Sequence, residues 1–234
     1  SAWVAACSRT ADKFKHGAAA TQSAERDMNM IAGITESAGA NIQWLQEQFF
    51  TREKEEYKDK IFDFMNEEIK KVPPGSNHLI CTPWMLGERC PVSTTTTRST
   101  LFNINMEHTR AHMLRAVYEG IAYNLRWIME NYEKDYGFNC DDFRIIGGGA
   151  LNDPWMEIIA DVTGKSFSVP KDPRNPGAVG AAVVALIGLG ELSGFEAVKE
   201  FVEADRHFKP NPANKKIYDE LFQDYKNVYN SLKG

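Results

Sequence analysis

Apolar residues recur along the chain at two spacings, and these spacings divide it into elements. Residues 1–8 read as an opening strand, and Gly17–Gln22 reads as a turn. From about Ser23 to Phe50, Ile31, Ile34, Ala38, Ile42 and Leu45 fall on one face at helical spacing, which predicts a helix. Residues 51–70 are highly charged, but Phe62, Met65 and Ile69 keep the helical period, so a second amphipathic helix is expected there. Pro73-Pro74-Gly75 stops it. Leu79–Met85 reads as a short buried strand, Gly87–Thr97 as a polar loop, and Ser99–Ile104 as another strand. The longest pattern runs from about Glu107 to Tyr132, with Leu114, Val117, Ile121, Leu125, Ile128 and Tyr132 as its apolar stripe. Phe143–Ile146 then reads as a strand ending in Gly147-Gly148-Gly149. A helix follows, with Asp153 as its expected N-cap and Pro154 at the first helical position. Ser166–Val169 is a further strand, and Asn175-Pro176 opens a helix to about Gly190. A charged, less regular stretch leads to a last helix at about Pro212–Leu232.

Strands and helices are mixed throughout, which predicts an α/β layout with helices covering a sheet. No repeat and no linker divides the chain, so one domain is expected over 1–234, with a helical tail at about 191–234. Apolar residues make up 43%, enough for a core, and the net charge of −5 argues against nonspecific nucleic-acid binding. An acidic protein can still hold ATP locally, through backbone amides and Mg²⁺. No membrane span is expected, because the best candidate, Ala178–Leu189, is short and contains Gly180 and Gly188. The opening Ser-Ala-Trp-Val reads as a strand already under way and not as a leader, as in a fragment or a trimmed chain. Cys7, Cys81, Cys90 and Cys140 have no C-x-x-C spacing and no paired histidine nearby, so no metal site is expected. They read as small buried or half-buried residues and suit a reducing, cytoplasmic location.

The densest local signal is the segment from Arg144 to Trp155: a strand, three glycines, then a helix start. Glycines let a ligand approach the backbone where a Cβ would block it, and a helix N-terminus offers unpaired N–H groups. The spacing is neither G-x-G-x-x-G nor a Walker A loop. On the residues alone, a nucleotide site and a tight structural turn both fit. His108 and His112 are four apart, but no third ligand is near, so they read as solvated or capping histidines. Arg115 and Glu119, also four apart, can pair on one helix face.

Five segments, in order, resemble the FGGY carbohydrate kinases of the sugar kinase/actin/Hsp70 superfamily. Gly147-Gly148-Gly149-Ala150, with Asn152, Trp155 and Ala160-Asp161, is similar to the family's adenosine motif. Ala38-Gly39-Ala40-Asn41-Ile42-Gln43-Trp44-Leu45 resembles a glycerol kinase helix whose Gly and Gln touch the nucleotide. Pro83–Pro91 resembles the Pro-x-x-x-Gly-Glu-Arg-x-Pro loop of xylulokinase-type members, with Cys90 where Thr is usual. There Glu88 and Arg89 are expected to pair and shape the loop. Arg115-Ala116 with Glu119-Gly120 and Ala122 matches the family's long helix, and Pro176–Ala182 its Gly-Ala-x-Gly-Ala-Ala helix, which is expected to pack on the sheet. The resemblance implies an RNase H-like (actin-like ATPase) domain, the C-terminal half of a two-domain sugar kinase. It implies ATP with its Mg²⁺ as cofactors, and Gly39, Gln43, Gly148, Gly149, Ala150 and Asn152 as nucleotide-binding residues. The partners implied are ATP or ADP, a sugar or polyol (xylulose first, with glycerol or another pentulose as alternatives) and an N-terminal domain; a homodimer stays open. The resemblance puts the aspartate base in the N-terminal half, so no catalytic residue is assigned here and the chain alone is expected to be inactive. A non-catalytic actin-like nucleotide-binding module is the reading from another class.

Overall fold

The computed structural model describes residues 1–9 and 15–232. Strands β1 (Trp3–Ser8), β2 (Ala19–Gln22) and β3 (Asn29–Ile34) form an antiparallel sheet in the order β1-β3-β2. This corrects two expectations. The stretch read as a turn holds the turn at Gly17 and then β2. The stretch read as one helix from Ser23 holds β3 before helix α1 (Gly39–Phe49) begins. The run Met30-Ile31-Ala32-Gly33-Ile34 is apolar without a break, and periodicity alone does not separate a buried strand from a buried helix. Pairing on both edges, with β1 and β2, decides for the strand.

The charged stretch after α1 is two helices, α2 (Thr51–Tyr57) and α3 (Ile61–Lys70), parted at Lys58, whose φ is +47°. Ile61, Met65 and Ile69 are the buried face of α3, whereas Phe62 faces solvent. β4 (Ile80–Cys81) and β5 (Leu101–Phe102) make a short antiparallel pair. Helix α4 (Arg110–Tyr136) is the centre of the molecule, and all six residues of its expected stripe are buried. Gly120 lets α4 lie on β4, since a Cβ there would fall 2.1 Å from the Cys81 carbonyl oxygen. Arg115 and Glu119 pair as expected, at 2.8 Å, and both are buried.

The C-terminal part completes an α/β unit. β6 (Asp142–Arg144) runs parallel to β7 (Ser166–Pro170), joined by helix α5 (Asp153–Thr163). After β7 come α6 (Pro176–Gly188) and the short α7 (Val198–Phe201). The segment expected as a helical tail also holds a strand, β8 (Ala204–Phe208), antiparallel to β7. Its last helix, α8 (Lys215–Leu232), buries Tyr218, Leu221, Phe222 and Tyr225 in the common core. Helix α6 carries apolar side chains throughout, yet Val183 is its only buried residue among those described. Among the described residues no helix is long and apolar enough to cross a membrane.

Candidate nucleotide-binding site

The glycine run sits where a parallel strand hands over to a helix. Ile145 N–H still bonds the Ser168 carbonyl of β7, at 2.9 Å. Gly147 then takes φ +99°, a conformation that favours glycine, and donates to the Pro173 carbonyl. Gly148–Leu151 form a single 3₁₀ turn, closed by Ala150 N–H on Gly147 and Asn152 N–H on Gly149. Arg206 of β8 clamps this turn: it donates to the Ala150 carbonyl at 2.8 Å and pairs with Asp153.

The neighbouring glycines differ in what they face. A Cβ at Gly148 would meet nothing within 4 Å, whereas one at Gly149 would lie 2.8 Å from Trp155 Cζ3. Gly148 therefore leaves the backbone open on that side, and Gly149 accommodates the indole. Trp155 in turn packs edge-on against Tyr118 of α4, with ring centroids 5.3 Å apart. Ala150 is buried. The N-cap of α5 is Asn152 and not Asp153: Asn152 Oδ1 accepts the Trp155 N–H at 3.1 Å. A capping side chain needs non-helical backbone, and Asn152, at φ −99° and ψ 97°, is the last residue to have it. The Asn152 carbonyl oxygen is thus engaged in the protein, and its amide nitrogen is not part of the cap.

The second segment is the start of α1. Asn41, Ile42, Leu45 and Gln46 are buried, which leaves Gly39 and Gln43 on the exposed side. A Cβ at Gly39 would meet nothing within 4 Å, and Gln43 Nε2 donates to Glu47 at 3.0 Å. Ser37 and Asn41 pin this end of α1 to the Pro83 carbonyl, at 2.9 and 2.7 Å. Both segments flank one turn of α4: Leu45 of α1 shares a cavity with Met113 and Val117, and Trp155 of α5 meets Tyr118. No hydrogen bond or ring contact joins Gly39 or Gln43 to the Gly148–Asn152 turn among the described residues.

The Pro83–Pro91 loop is held differently from its expectation. Glu88 does not pair with the Arg89 side chain. Its Oε1 accepts the Glu36 and Arg89 backbone N–H groups, at 2.6 and 2.8 Å, and its Oε2 accepts Asn124 Nδ2 at 2.7 Å. Arg89 reaches outward to Glu36, at 2.6 Å. Glu88 is 3% exposed, and burial pushes its carboxyl above the usual value. Three donors compensate for the lost water. Asn124 is itself saturated, because Oδ1 accepts Trp84 Nε1 and the Tyr225 hydroxyl. His112 closes a capping box with Thr109 at the start of α4, a structural role. Cys81 and Cys90 are buried, with thiols pushed up to about 12 by desolvation, whereas Cys7 and Cys140 are exposed, contrary to expectation.

Sequence reasoning did not find an apolar cavity of about 460 Å³ between α1, β4, β5 and α4, lined by Trp44, Phe49, Cys81, Met85 and Leu101. Its signal was the exposed pair Trp44 and Phe49 on one helix, whose rings meet at 5.7 Å.

Comparison with known proteins agrees with this architecture. The model of the FGGY family of carbohydrate kinases, C-terminal domain, matches residues 1–189. The chain is 30% identical over 221 residues to the xylulose kinase of Bacillus subtilis (strain 168), covering 94% of this chain and 41% of that protein. It is 25% identical over 208 residues to the gluconokinase of the same strain, covering 88% of this chain and 40% of that one. Among solved structures, xylulose kinase from Rhodospirillum rubrum superposes with a TM-score of 0.85 at 26% identity, over 98% of this chain and 45% of that one. Plasmodium falciparum glycerol kinase with ADP shares the fold, with a TM-score of 0.80 at 21% identity, over 99% of this chain and 46% of that one. The chain thus spans less than half the length of these relatives, and its fold is the actin-like one expected. Residues 1–189 carry the family's match and nearly all of the chain superposes on its solved structures, so the chain belongs to the FGGY family of carbohydrate kinases, as a C-terminal domain.

Proposed function

We propose that this chain is the nucleotide-binding half of an ATP-dependent sugar kinase, a cytoplasmic enzyme that moves the γ-phosphoryl group to a hydroxyl of xylulose. The observation that carries the reading is the open glycine turn at the start of α5, in a chain of this family. An adenine ring can lie on the bare backbone at Gly148, with Gly149 and Ala150 forming the turn beneath and Asn152 at its end. Gly39 and Gln43 border the same site from α1. The open face at Gly39 and the exposed Gln43 amide support this placement. Phosphoryl transfer is mostly positioning and charge stabilisation, and Mg²⁺ on the phosphates supplies the charge. This chain's share is to hold the nucleoside end, while the acceptor and the base belong to the rest of the enzyme. Xylulose is favoured because the xylulose kinases of Bacillus subtilis and Staphylococcus epidermidis are 30% and 31% identical to this chain. The first test is calorimetric ADP binding to the full-length protein. Gly148→Val is expected to abolish binding with little change in melting temperature, and Asn152→Ala to weaken it by at most about tenfold. Unchanged affinity in Gly148→Val places the nucleotide elsewhere. The second test is ADP release with xylulose, gluconate and glycerol. The full-length protein is expected to prefer xylulose, and the chain alone to show no turnover; a rate on the order of 1–100 per second from the chain alone contradicts the division of labour.

A further inference from the structure

The apolar cavity beside α1 holds none of the residues assigned to the nucleotide, and its wall carries a single charge. Its volume is about 460 Å³, and four elements line it: Trp44 and Phe49 of α1, Cys81 of β4, Leu101 of β5, and Met113 and Val117 of α4. A volume on the order of 300–1,000 Å³ is what small organic ligands occupy. Trp44, Phe49 and Leu101 are exposed although large and apolar, so an apolar body seated there would remove their surface from water. The Trp44 and Phe49 rings meet edge-on at 5.7 Å and make an aromatic corner, against which a third ring can pack.

Arg98 is the one charged residue among those lining the cavity. Its guanidinium is held by its own loop, where Nη1 donates to the carbonyls of Thr95 and Thr97, at 2.8 and 2.9 Å. Nε and Nη2 have no partner among the described residues, and no carboxylate pairs with Arg98 there. Those two nitrogens are an edge of the guanidinium that takes a carboxylate by two parallel bonds. An arginine fixed in advance by two carbonyls loses little further freedom on binding. The other polar groups of the wall are committed or neutral. Ser99 Oγ donates to the Thr82 carbonyl at 2.6 Å, and burial pushes the Cys81 thiol up to about 12, so it stays uncharged.

We propose that this cavity binds a free, small aryl monocarboxylate, with its carboxylate on the open edge of Arg98 and its ring against Trp44 and Phe49. One carboxylate matches one guanidinium edge. A phosphate dianion would keep charge that a single arginine does not neutralise, and the apolar wall offers it no further donor. A neutral apolar molecule would leave the guanidinium edge unused. The flexible thioether chains of Met85 and Met113 let the wall fit rings of different outline. Helix α1 carries Trp44 here and Gln43 on the neighbouring face, but no residue is shared with the proposed nucleotide site, so failure of either reading leaves the other intact.

Calorimetric titration of the full-length protein, expressed from its complete coding sequence, tests it with phenylbutyrate as the probe. Saturable binding with a dissociation constant of about 0.1–1 mM is expected, the scale for a ligand of this size. Phenylbutanol keeps the ring and lacks the charge, whereas acetate keeps the charge and lacks the ring. Each is expected to bind at least about tenfold more weakly than phenylbutyrate. Arg98→Gln should weaken phenylbutyrate by about ten- to a hundredfold, the loss of a charged hydrogen bond. Saturating ADP is expected not to displace it. No saturable binding, equal affinity for the acid and the alcohol, unchanged affinity in Arg98→Gln, or competition by ADP each overturns the inference. The comparison of acid with alcohol uses the parent protein, so it decides even if the variant folds poorly. A dimer that shields Trp44 and excludes the probe also overturns it, because a second copy is then the occupant.

Discussion

Gly148 and Gly149 are neighbours in the chain and opposites in their surroundings. A methyl group at Gly149 collides with the Trp155 ring, and Trp155 is held by Tyr118, so it cannot swing freely away. Gly149→Ala is expected to cost about 1–3 kcal/mol in chemical denaturation, the range for overpacking. Gly148→Ala, which points into open space, is expected to stay within about 0.5 kcal/mol of the parent. Equal losses in both variants would show that the turn is not as described. Glu88 makes a prediction about pH. Its folded-state pKa is raised by burial above the ordinary 4.5, so the folded protein holds this proton more tightly than the unfolded chain. The associated stability is fully present below 4.5 and is lost as pH rises through the folded value. Relative to Glu88→Gln, which does not titrate, the parent should therefore lose stability as pH rises from 4.5 toward neutrality. Denaturant midpoints of the two proteins across that range check it; a difference that is flat or grows in the parent's favour contradicts it.

At the scale of elements, the long helix α4 was the most legible part of the chain, and Gly120 shows where legibility stopped. The apolar stripe from Leu114 to Tyr132 is a property of the helix alone, and all of it is buried as expected. Gly120 stands out in the sequence only as part of a family motif. Its physical role is to let β4 approach the helix backbone, which depends on a strand forty residues earlier in the chain. Gly120→Ala puts a methyl against a main-chain carbonyl, which is unable to rotate aside as a side chain can. The expected loss is about 3 kcal/mol, read as a fall in the thermal midpoint. β3 went the other way. Its apolar residues fit a helical spacing, and only the ladders on both its edges made it a strand. Asn152 was picked out as a nucleotide residue; the structure shows it as the cap of α5, a role hidden by the equally suitable Asp153 beside it.

For the whole molecule, the family's match ends at residue 189, but the fold does not. β8 pairs with β7 and clamps the glycine turn through Arg206, and α8 fills the core against α4 with Tyr218, Phe222 and Tyr225. The Tyr218 hydroxyl also closes the buried Arg115–Glu119 pair, donating to Glu119 at 2.8 Å. A chain cut after Gly190 loses all of these contacts and leaves Glu119 and Arg115 short of a partner, a costly state for buried charge. Such a chain is expected to show no cooperative unfolding transition and no near-ultraviolet circular dichroism of fixed aromatics. A sharp transition in the truncated chain would make 191–234 an appendage after all.

What the sequence by itself determined is local. The α4 stripe, the Pro and Gly stop after α3, the Arg115–Glu119 spacing and the glycine run before α5 each depend on residues a few positions apart, and each is found in the structure. Motif order also determined the family, because five ordered segments carry more information than any one of them. What only the tertiary structure decided involves partners far apart in the chain. The backbone of β3 became a strand because of β1 and β2, Glu88 turned from Arg89 to Asn124 because burial demanded donors, and Gly149 was filled by Trp155 while Gly148 stayed open. In each case one segment is equally compatible with two states, and the energy that separates them comes from long-range pairing and packing, which no local pattern contains.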